Sequence, residues 1–427
     1  MTPPTLPSLS TFACLPPNIL TTPTPFTLSV PSKEVNLLPR LARSGTFGIP
    51  SYYNTEADAA SGRFGITRDW LINATSIWTS PSQFSWRSHE QYMNHFPNFR
   101  VNVTTPSDNE LYDLHFAALF SKNESAVPII FMHGWPGSWT EFAPMMDLLV
   151  DKYPTPEELP YHVVVPSIPD YGLSTRPGEV HKEINMTTAG EAMNQLMIEL
   201  GFGESGYIAQ GGDVGYFLAR TMCGLFEECR AFHINMFFLT EEERAAVNDI
   251  PITPEEATQI EIGDKWGLEG SAYAAEHGTR PATIALALMS SPVAMLAWMG
   301  EKFVEWSDNR DPSYALSMDT ILAQVSFYWY TESYGRSMWV YRALKSEVPS
   351  PLPPMPWSST KPFGFSWFPV EIASLPQAWG DYLFENMVFH RRHARGGHFA
   401  ALQEPAEFLQ DIEDFLAIVK QNGTFAS

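Results

Sequence analysis

An aspartate in a glycine-rich corner is the residue with the clearest chemical potential in this chain. Asp213 stands at the centre of Gly211–Gly215, between a short apolar run and a helix-like run that begins at Tyr216. Small neighbours let a strand turn sharply into a helix and expose the central side chain, as in a nucleophile elbow. A carboxylate there can attack a saturated carbon and form an ester, which activated water can hydrolyse. The pattern also fits an ordinary turn in which Asp213 caps the helix.

A histidine and an acid downstream of Asp213 complete the set of groups that this chemistry needs. His398 follows two glycines on a predicted loop, where an imidazole can activate water. An acid between the two should orient the imidazole, in the chain order nucleophile, acid, histidine of α/β-hydrolases. Glu371 is the first candidate for that acid, and the residues themselves leave Asp381 and Glu385 as alternatives.

The loop His133–Ser138 is a candidate for stabilising negative charge on an intermediate. In α/β-hydrolases one oxyanion donor lies after the third strand and the other directly follows the nucleophile. The backbone N–H groups of Trp135 and Val214 occupy those positions in this chain. The Trp135–Pro136 bond is a candidate for a cis peptide. His133 is predicted to form structural hydrogen bonds rather than to act as a base.

Apolar runs and helical patterns alternate through the part of the chain that holds the elbow. The runs are 127–132, 162–166, 207–209 and 232–237, and the helical patterns are 139–150, 187–200 and 216–222. This alternation predicts an α/β fold, the α/β-hydrolase fold, with a mostly parallel sheet. It stops near Leu239, and a helical, tryptophan-rich segment follows. We therefore predict a helical cap inserted after the sixth strand.

The two ends of the chain differ from this alternating region. Aromatic residues are dense between 46 and 100, before a hairpin pattern at 99–103 and 111–120. Such a segment is expected to wrap the core and the cap. A proline-rich stretch, 349–356, leads back to a strand at 387–390 and a helix at 405–421. The predicted division is an extended leader 1–24, an N-terminal segment 25–110, a core 111–239, a cap 240–350 and a second core part 351–427.

Composition limits the classes of function. The 427 residues have a net charge of −22, which argues against nucleic-acid and anionic-lipid partners. The three cysteines are too few for a disulfide framework and fit a reducing compartment. No signal peptide is evident at the N-terminus. The apolar run 282–300 is long enough to span a membrane, but Ser290–Pro292 interrupts it, which predicts two buried helices that meet at a corner.

Seven short stretches, in order along the chain, carry a family resemblance. They are HGWPGS (133–138), GGDVG (211–215), YAAEHGTRP (273–281), SPVAMLAWMGEKFVEWSD (291–308), YWYTESYGRSMWVY (328–341), PFGFSWFPVE (362–371) and GGHFAALQE (396–404). In these stretches, and over nearly the whole chain from about residue 24, the sequence resembles epoxide hydrolases of the microsomal-related branch, particularly the soluble fungal members.

The resemblance implies hydrolysis of epoxides to vicinal diols without a cofactor. Asp213 matches the nucleophile that forms an alkyl-enzyme ester, and His398 matches the base that activates water. Glu371 matches the acid, which favours it over the alternatives that the residues alone leave open. Tyr273 and Tyr341 match two cap tyrosines that hold the epoxide oxygen.

One position departs from the family's pattern. Val214 replaces the Trp or Ile of many members, a change that is expected to alter the pocket more than the mechanism. Haloalkane dehalogenases share the aspartate elbow, but they commonly hold halide with a Trp at this position. Val214 has no such donor. A non-catalytic ligand-binding protein of the α/β-hydrolase fold is a further alternative, although such proteins usually lack part of the triad.

The expected partners are a small apolar epoxide and water. The sequence has no HExxH motif, clustered Cys and His residues, GxGxxG motif or P-loop, so we expect neither a metal nor a cofactor. We expect a soluble, cytoplasmic protein without a nucleic-acid partner or a membrane anchor. The resemblance alone implies a homodimer.

Overall fold

The computed structural model of the chain describes residues 9–55, 64–178, 182–345 and 360–425. The first eight residues of the predicted leader and the predicted proline-rich stretch 349–356 lie outside the described residues. The described parts form a sheet covered by helices on both faces, with a helical cap inserted in the chain between the seventh and eighth strands. This architecture confirms the predicted α/β-hydrolase fold.

Nine strands form one mixed sheet in the order β1-β2-β3-β5-β4-β6-β7-β8-β9. They are β1 (Thr24–Phe26), β2 (Asn98–Thr104), β3 (Leu111–Leu119), β4 (Val127–Met132), β5 (Tyr161–Pro166), β6 (Tyr207–Gly211), β7 (Cys229–Ile234), β8 (Phe363–Trp367) and β9 (Met387–Arg392). Strands β4 to β9 pair in parallel, whereas β1, β2 and β3 pair antiparallel. Strands β2 and β3 pair antiparallel, which confirms the predicted hairpin.

Two strand predictions need correction. Strand β7 is Cys229–Ile234 rather than 232–237, because the chain joins the sheet as soon as the preceding helix ends, with Cys229 opposite Tyr207. The half-buried Arg230 interrupts the apolar pattern there and hides the start of the strand. Strand β8 was not predicted as a strand, although its residues are all buried. The cap follows β7, which is the sixth strand when the N-terminal edge strand β1 is left out of the count.

The helices fall into three groups along the chain. Before the cap they are α1 (Ser32–Arg43), α2 (Tyr52–Thr55), α3 (Arg68–Trp78), α4 (Trp86–Met93), α5 (Ala143–Lys152), α6 (Met186–Met197) and α7 (Val214–Leu225). In the cap they are α8 (Glu241–Val247), α9 (Pro254–Lys265), α10 (Ala272–Thr279), α11 (Pro281–Met289), α12 (Pro292–Glu305), α13 (Met318–Thr331) and α14 (Trp339–Lys345). After the cap they are α15 (Gln377–Leu383), α16 (Ala400–Gln403) and α17 (Pro405–Gln421).

Strand β4 shows how the sheet separates two hydrophobic clusters. Ile130 and Met132 belong to the cluster that includes α6, α7 and the cap, whereas Ile129 and Phe131 belong to the cluster that includes α5 and α17. Successive residues of a strand point to opposite faces, so the two clusters cover opposite faces of the sheet. All six residues of β4 are buried, as expected for a parallel strand inside such a sheet.

The N-terminal segment contacts both the core and the cap. It supplies β1 and β2 to the sheet, and α1, α3 and α4 pack against the cap helices α12 and α13. The indole N–H of Trp78 donates to the hydroxyl of Ser326 on α13 at 2.9 Å. These contacts support the proposed role of the segment, and the domain boundaries given above remain a prediction.

Two further predictions have different outcomes. Helices α11 and α12 are bent by 116° to each other, which confirms the predicted corner. The prediction that both helices are buried is wrong for α11, where only Ala285 and Leu288 are buried and Leu286 is exposed. Among the described residues no single helix is long and apolar enough to cross a membrane, although this bent pair meets the length and composition criteria together.

The expectation about cysteines is wrong, because Cys223 and Cys229 form a disulfide between α7 and β7. The cysteines therefore give no support for a reducing compartment.

Candidate active site

The elbow holds Asp213 in a backbone conformation that few non-glycine residues adopt. Its φ of 47° and ψ of −120° lie between the end of β6 and the start of α7. Such a conformation costs about 1–3 kcal/mol and persists only where the surroundings impose it. One neighbour must be glycine, because a Cβ on Gly215 would lie 2.0 Å from the carbonyl oxygen of Met132. The tight contact with β4 therefore fixes the strained turn, and the Asp213 side chain makes no capping hydrogen bond to α7.

The structure brings the predicted histidine and acid to Asp213. Nε2 of His398 lies 3.3 Å from Oδ2 of Asp213, and Nδ1 of His398 lies 2.7 Å from Oε1 of Glu371. Glu371 is completely buried, and the backbone N–H of Ile372 also donates to its Oε1, at 2.6 Å. The imidazole thus lies between two carboxylates, with one ring nitrogen available for each.

The surroundings of His398 change its affinity for a proton. Burial lowers the pKa of the imidazole, but the charge of Glu371, hydrogen bonds to both carboxylates and the charge of Asp213 outweigh burial and raise the pKa from 6.5 to about 10. In the free protein the ring is therefore an imidazolium ion at neutral pH. Any event that removes the negative charge of Asp213 removes one cause of this high pKa.

The cap holds the His398 loop from outside the sheet. The carbonyl oxygen of Trp306 accepts a hydrogen bond from the backbone N–H of His398 at 2.9 Å. Oδ2 of Asp308 accepts one from the N–H of Gly396 at 2.9 Å. Arg310 donates to both carboxylate oxygens of Asp308, which is fully buried. The position of the imidazole thus depends on the cap segment that contains Trp306 and Asp308.

Of the two predicted oxyanion donors, one contacts the carboxylate in this structure. The backbone N–H of Trp135 donates to Oδ1 of Asp213 at 2.7 Å. Val214 is the first residue of α7, where a backbone N–H has no partner within the helix. Its role as the second donor therefore remains a prediction. The Trp135–Pro136 peptide is cis, as the sequence suggested.

The two predicted cap tyrosines lie opposite the elbow. The Trp135 ring is 5.1 Å from the Tyr273 ring and 5.8 Å from the Tyr341 ring, and the two tyrosine rings are 5.6 Å apart. Both tyrosines are buried. Burial, and secondarily the charge of Asp213, raises the pKa of the Tyr273 phenol well above its usual value of 10. Burial and the neighbouring Tyr273 do the same to the pKa of Tyr341, so both phenols are protonated at neutral pH.

A cavity reaches this aromatic cluster from the cap. It has a volume of ≈ 510 Å³. Aromatic and aliphatic residues such as Trp266, Trp298 and Trp306 line one part of it together with Tyr273, and charged residues, Lys265, Glu269, Glu301, Lys302 and Glu305, line the rest. Ligand pockets of this size are typically apolar with a few placed polar groups. The aromatic part of the cavity, next to Tyr273 and Trp306, suits the apolar part of a molecule that carries one polar atom to the tyrosines.

The alternative candidates for the acid, and His133, do not take the places of Glu371 and His398. Asp381 and Glu385 are exposed, and Glu371 is the acid that contacts the His398 ring. Nε2 of His133 accepts a hydrogen bond from the backbone N–H of Ile168 at 3.3 Å, which confirms its structural role.

Sequence reasoning missed two polar residues at the site. Gln259 donates to the carbonyl oxygen of Glu371 at 2.6 Å, but nothing in its local sequence marks it. Glu141 is buried beside Asp213 and His398. The pattern Ser138-Trp-Thr-Glu141 is a helix-start signal that could have drawn attention to it. In the described part of the chain, no group of three or more His, Cys, Asp and Glu side chains is arranged to hold a metal ion.

Comparisons with known proteins all find similarity to epoxide hydrolases. The family model described as "Epoxide hydrolase N terminus" matches residues 23–142. A protein of Dothistroma septosporum named "Putative epoxide hydrolase" is 39% identical, with 95% of this chain and 93% of that protein covered. Epoxide hydrolase 1 of Sus scrofa is 28% identical, with 84% of this chain and 82% of that protein covered. The solved structure of Aspergillus niger epoxide hydrolase has a TM-score of 0.84 and 40% identity, and covers 96% of this chain and 99% of its own.

Proposed function

This chain belongs to the epoxide hydrolase family and is an epoxide hydrolase, and from that premise we propose how its residues open and hydrolyse the epoxide. The reaction has two steps. In the first, Asp213 attacks an epoxide carbon and forms an alkyl-enzyme ester. In the second, water activated by His398 hydrolyses that ester and releases a vicinal diol.

The first step needs a nucleophile on one side of the epoxide and an acid on the other. One carboxylate oxygen of Asp213 forms a bond to carbon while the bond from that carbon to the ring oxygen breaks. The ring oxygen gains negative charge and takes a proton from Tyr273 or Tyr341. A phenol suits this task because it is protonated at neutral pH yet is far more acidic than the alcohol formed. The burial of both phenols supports this assignment.

The second step begins with a change in charge. The ester leaves Asp213 neutral, so one cause of the high pKa of His398 is lost and the imidazolium can release its proton. A proton taken up by the ionised tyrosine through water offsets this loss, so the phenol is restored and the total charge of the site is unchanged. The neutral imidazole then accepts a proton from water, and Glu371 stabilises the imidazolium that forms again. The 2.7 Å contact between Glu371 and His398 supports this role, because the buried carboxylate can both orient the imidazole and stabilise its positive charge.

Ester hydrolysis occurs at the side-chain carbon of Asp213. The oxygen of water bonds to this carbon, and the carbonyl oxygen becomes an oxyanion that accepts the N–H of Trp135. Collapse of the intermediate breaks the bond to the former Asp213 oxygen, which leaves as the second hydroxyl of the diol after it takes the proton from His398. Asp213 remains as the neutral acid and gives its proton to His398, which restores the carboxylate and the imidazolium. The observation that carries this proposal is the continuous contact from the strained Asp213 through His398 to Glu371.

Accumulation of the ester in a His398→Gln variant tests the proposal. The variant should still react with styrene oxide, so intact-protein mass spectrometry should detect one added substrate mass, located on the peptide that contains Asp213. His95→Gln, at a histidine whose ring contacts Phe96, should turn over without accumulating the adduct. A His398→Gln protein that stays folded, forms no adduct and makes no diol would show that His398 also serves the first step, contrary to the proposal.

The proposed substrate and the proposed homodimer rest on different observations. The aromatic part of the cavity at Tyr273 and Trp306 supports a small apolar epoxide as substrate, and water is the second reactant. The homodimer rests on the family resemblance alone. Light scattering at micromolar concentration tests it, and a monomer mass would contradict it.

A further inference from the structure

We propose that Glu141 is a positioning residue that binds the hydrolytic water molecule and holds it between His398 and the side-chain carbon of Asp213. This inference rests on the two-step reaction proposed above, because a bound water matters only to ester hydrolysis. It concerns a carboxylate that the reaction scheme so far leaves unused.

The first observation is a small cavity beside the elbow. Its volume is ≈ 20 Å³, and its lining includes the polar side chains of Glu141, Asp213, Asn235 and His398. A cavity of about 10–15 Å³ or more can hold one water molecule when it offers two to four polar partners. The remaining lining is largely apolar, with Phe142, Phe399 and Phe408 among its residues, so water has few alternative positions there.

The second observation is that the backbone leaves room for the Glu141 carboxylate. A Cβ on Gly137 would lie 1.3 Å from Oε1 of Glu141. Any other residue at position 137 would occupy the space in which that oxygen lies. The turn that carries the oxyanion donor Trp135 thus also leaves room for the carboxylate of a residue four positions after Gly137.

The third observation concerns the charge of Glu141. Burial raises the pKa of its carboxyl group; the charge of His398 opposes this and the charge of Asp213 adds to it, so that the pKa reaches about 8. A large fraction of the group is therefore neutral at pH 7, which lessens repulsion with Asp213. Both the neutral and the ionised group retain an oxygen that can accept a hydrogen bond from water.

These positions give the water molecule a defined orientation. One of its O–H groups donates to Nε2 of His398, which takes that proton. The other donates to Glu141, and the oxygen lone pair then faces the Asp213 carbonyl carbon. Holding a reactant in this way lowers the entropic part of the barrier. The carboxylate of Glu141 gains and loses no bond, so it positions water and does not act as the base.

A structural role for Glu141 makes a different prediction. The backbone N–H of Ser138 donates to its carboxylate, as in a capping box at the start of a helix. If capping were its whole purpose, replacement would lower stability without changing the ratio of the two reaction steps. Glu243 has the same capping role at the start of α8, outside this cavity, and provides a matched control.

Single-turnover kinetics with styrene oxide separate the two roles. Stopped-flow tryptophan fluorescence and quenched-flow mass analysis give the rates of ester formation and ester hydrolysis. Glu141→Ala should slow hydrolysis by about ten- to a hundredfold and change ester formation by less than about threefold, because one positioning contact is lost. Glu141→Gln keeps an acceptor oxygen and should recover most of the hydrolysis rate. Glu243→Ala should change neither rate by more than about twofold.

A second variant covers the case in which Glu141→Ala does not fold. Gly137→Ala keeps every side chain of the cavity and displaces only the Glu141 carboxylate, so it should slow hydrolysis selectively as well. Wild-type hydrolysis in the folded variants, or an equal loss of both rates, would overturn the inference. If the wild-type enzyme formed no ester at all, the two-step reaction itself would be wrong, and this outcome is distinct from the others.

Discussion

The core side and the cap side of the active site handle charge in different ways. On the core side, Asp213, His398 and Glu371 are ionisable groups linked by contacts of 3.3 and 2.7 Å. On the cap side, Tyr273 and Tyr341 are neutral phenols packed among aromatic rings. The reacting groups of the core are therefore charged before the reaction, whereas the two phenols of the cap stay neutral until the ring opens. In this account ester formation needs both sides and ester hydrolysis needs mainly the core.

The largest expected effect is loss of the cap side. The double change Tyr273→Phe and Tyr341→Phe should slow ester formation by about a thousandfold or more, and each single change by about ten- to a thousandfold, because a transition-state donor is lost. Ester hydrolysis should change far less. Tyr334→Phe is the control. Its hydroxyl belongs to the same cluster but lies 3.0 Å from Nε2 of His277, so its loss should not slow ester formation as the other two changes do. Stopped-flow rates equal to wild type in both single variants would contradict the assignment.

Loss of the acid on the core side should have the opposite selectivity. Glu371→Gln should slow ester hydrolysis by about a hundredfold, because the imidazolium loses its charged partner, while ester formation continues. Asp381→Asn, at the exposed rival position, should be mild. Quenched single-turnover experiments give both rates, and the reverse ranking of the two variants would move the acid to Asp381.

A smaller effect is expected where the cap holds the core histidine. Asp308→Ala removes the acceptor for the N–H of Gly396 and the partner of Arg310. A displaced His398 loop should slow hydrolysis by about three- to tenfold and leave ester formation nearly unchanged. The exposed neighbour Asp311, changed to Ala, should leave both rates intact. Equal rates in the two variants would show that the cap does not position His398.

The smallest change in rate is expected from pH. Because the pKa of His398 is about 10 in the free enzyme, its charge should hardly change between pH 6 and 9. The group of this site that titrates in this range is Glu141, with a pKa of about 8, and because it does not react with the epoxide, ester formation should vary by less than about threefold. In Asp213→Asn the negative charge beside the ring is absent, so the ring should lose its proton at a lower pH than in wild type. Nuclear magnetic resonance titration of His398 measures both values. An unchanged pKa in the variant would contradict the coupling.

The parts of this molecule that sequence could predict are those with a local pattern. The buried strand β4, the terminal helix α17 and the β2–β3 hairpin have a period or a turn signal within a few residues. The elbow has its glycines. Strand β7 was misplaced because a single polar residue, Arg230, interrupts its apolar pattern. The disulfide was missed because a count of cysteines says nothing about which of them lie close together.

Contacts between distant segments set the rest of the site. Tyr273 and Tyr341 have no common local pattern, and only the family resemblance pointed to them as a pair. The carbonyl of Trp306 that holds His398 and the amide of Gln259 that holds Glu371 come from the cap. Glu141 was also missed, since its helix-start pattern indicates capping and the fold alone brings its carboxylate to Asp213.

The most direct test of the covalent step is a single turnover of styrene oxide in oxygen-18 water, with enzyme in excess. The first diol should contain no solvent oxygen, because its new hydroxyl comes from Asp213, and the Asp213 peptide should gain one labelled oxygen. Label in the first diol, with none in the Asp213 peptide, would mean that water attacks the epoxide directly and would contradict the account.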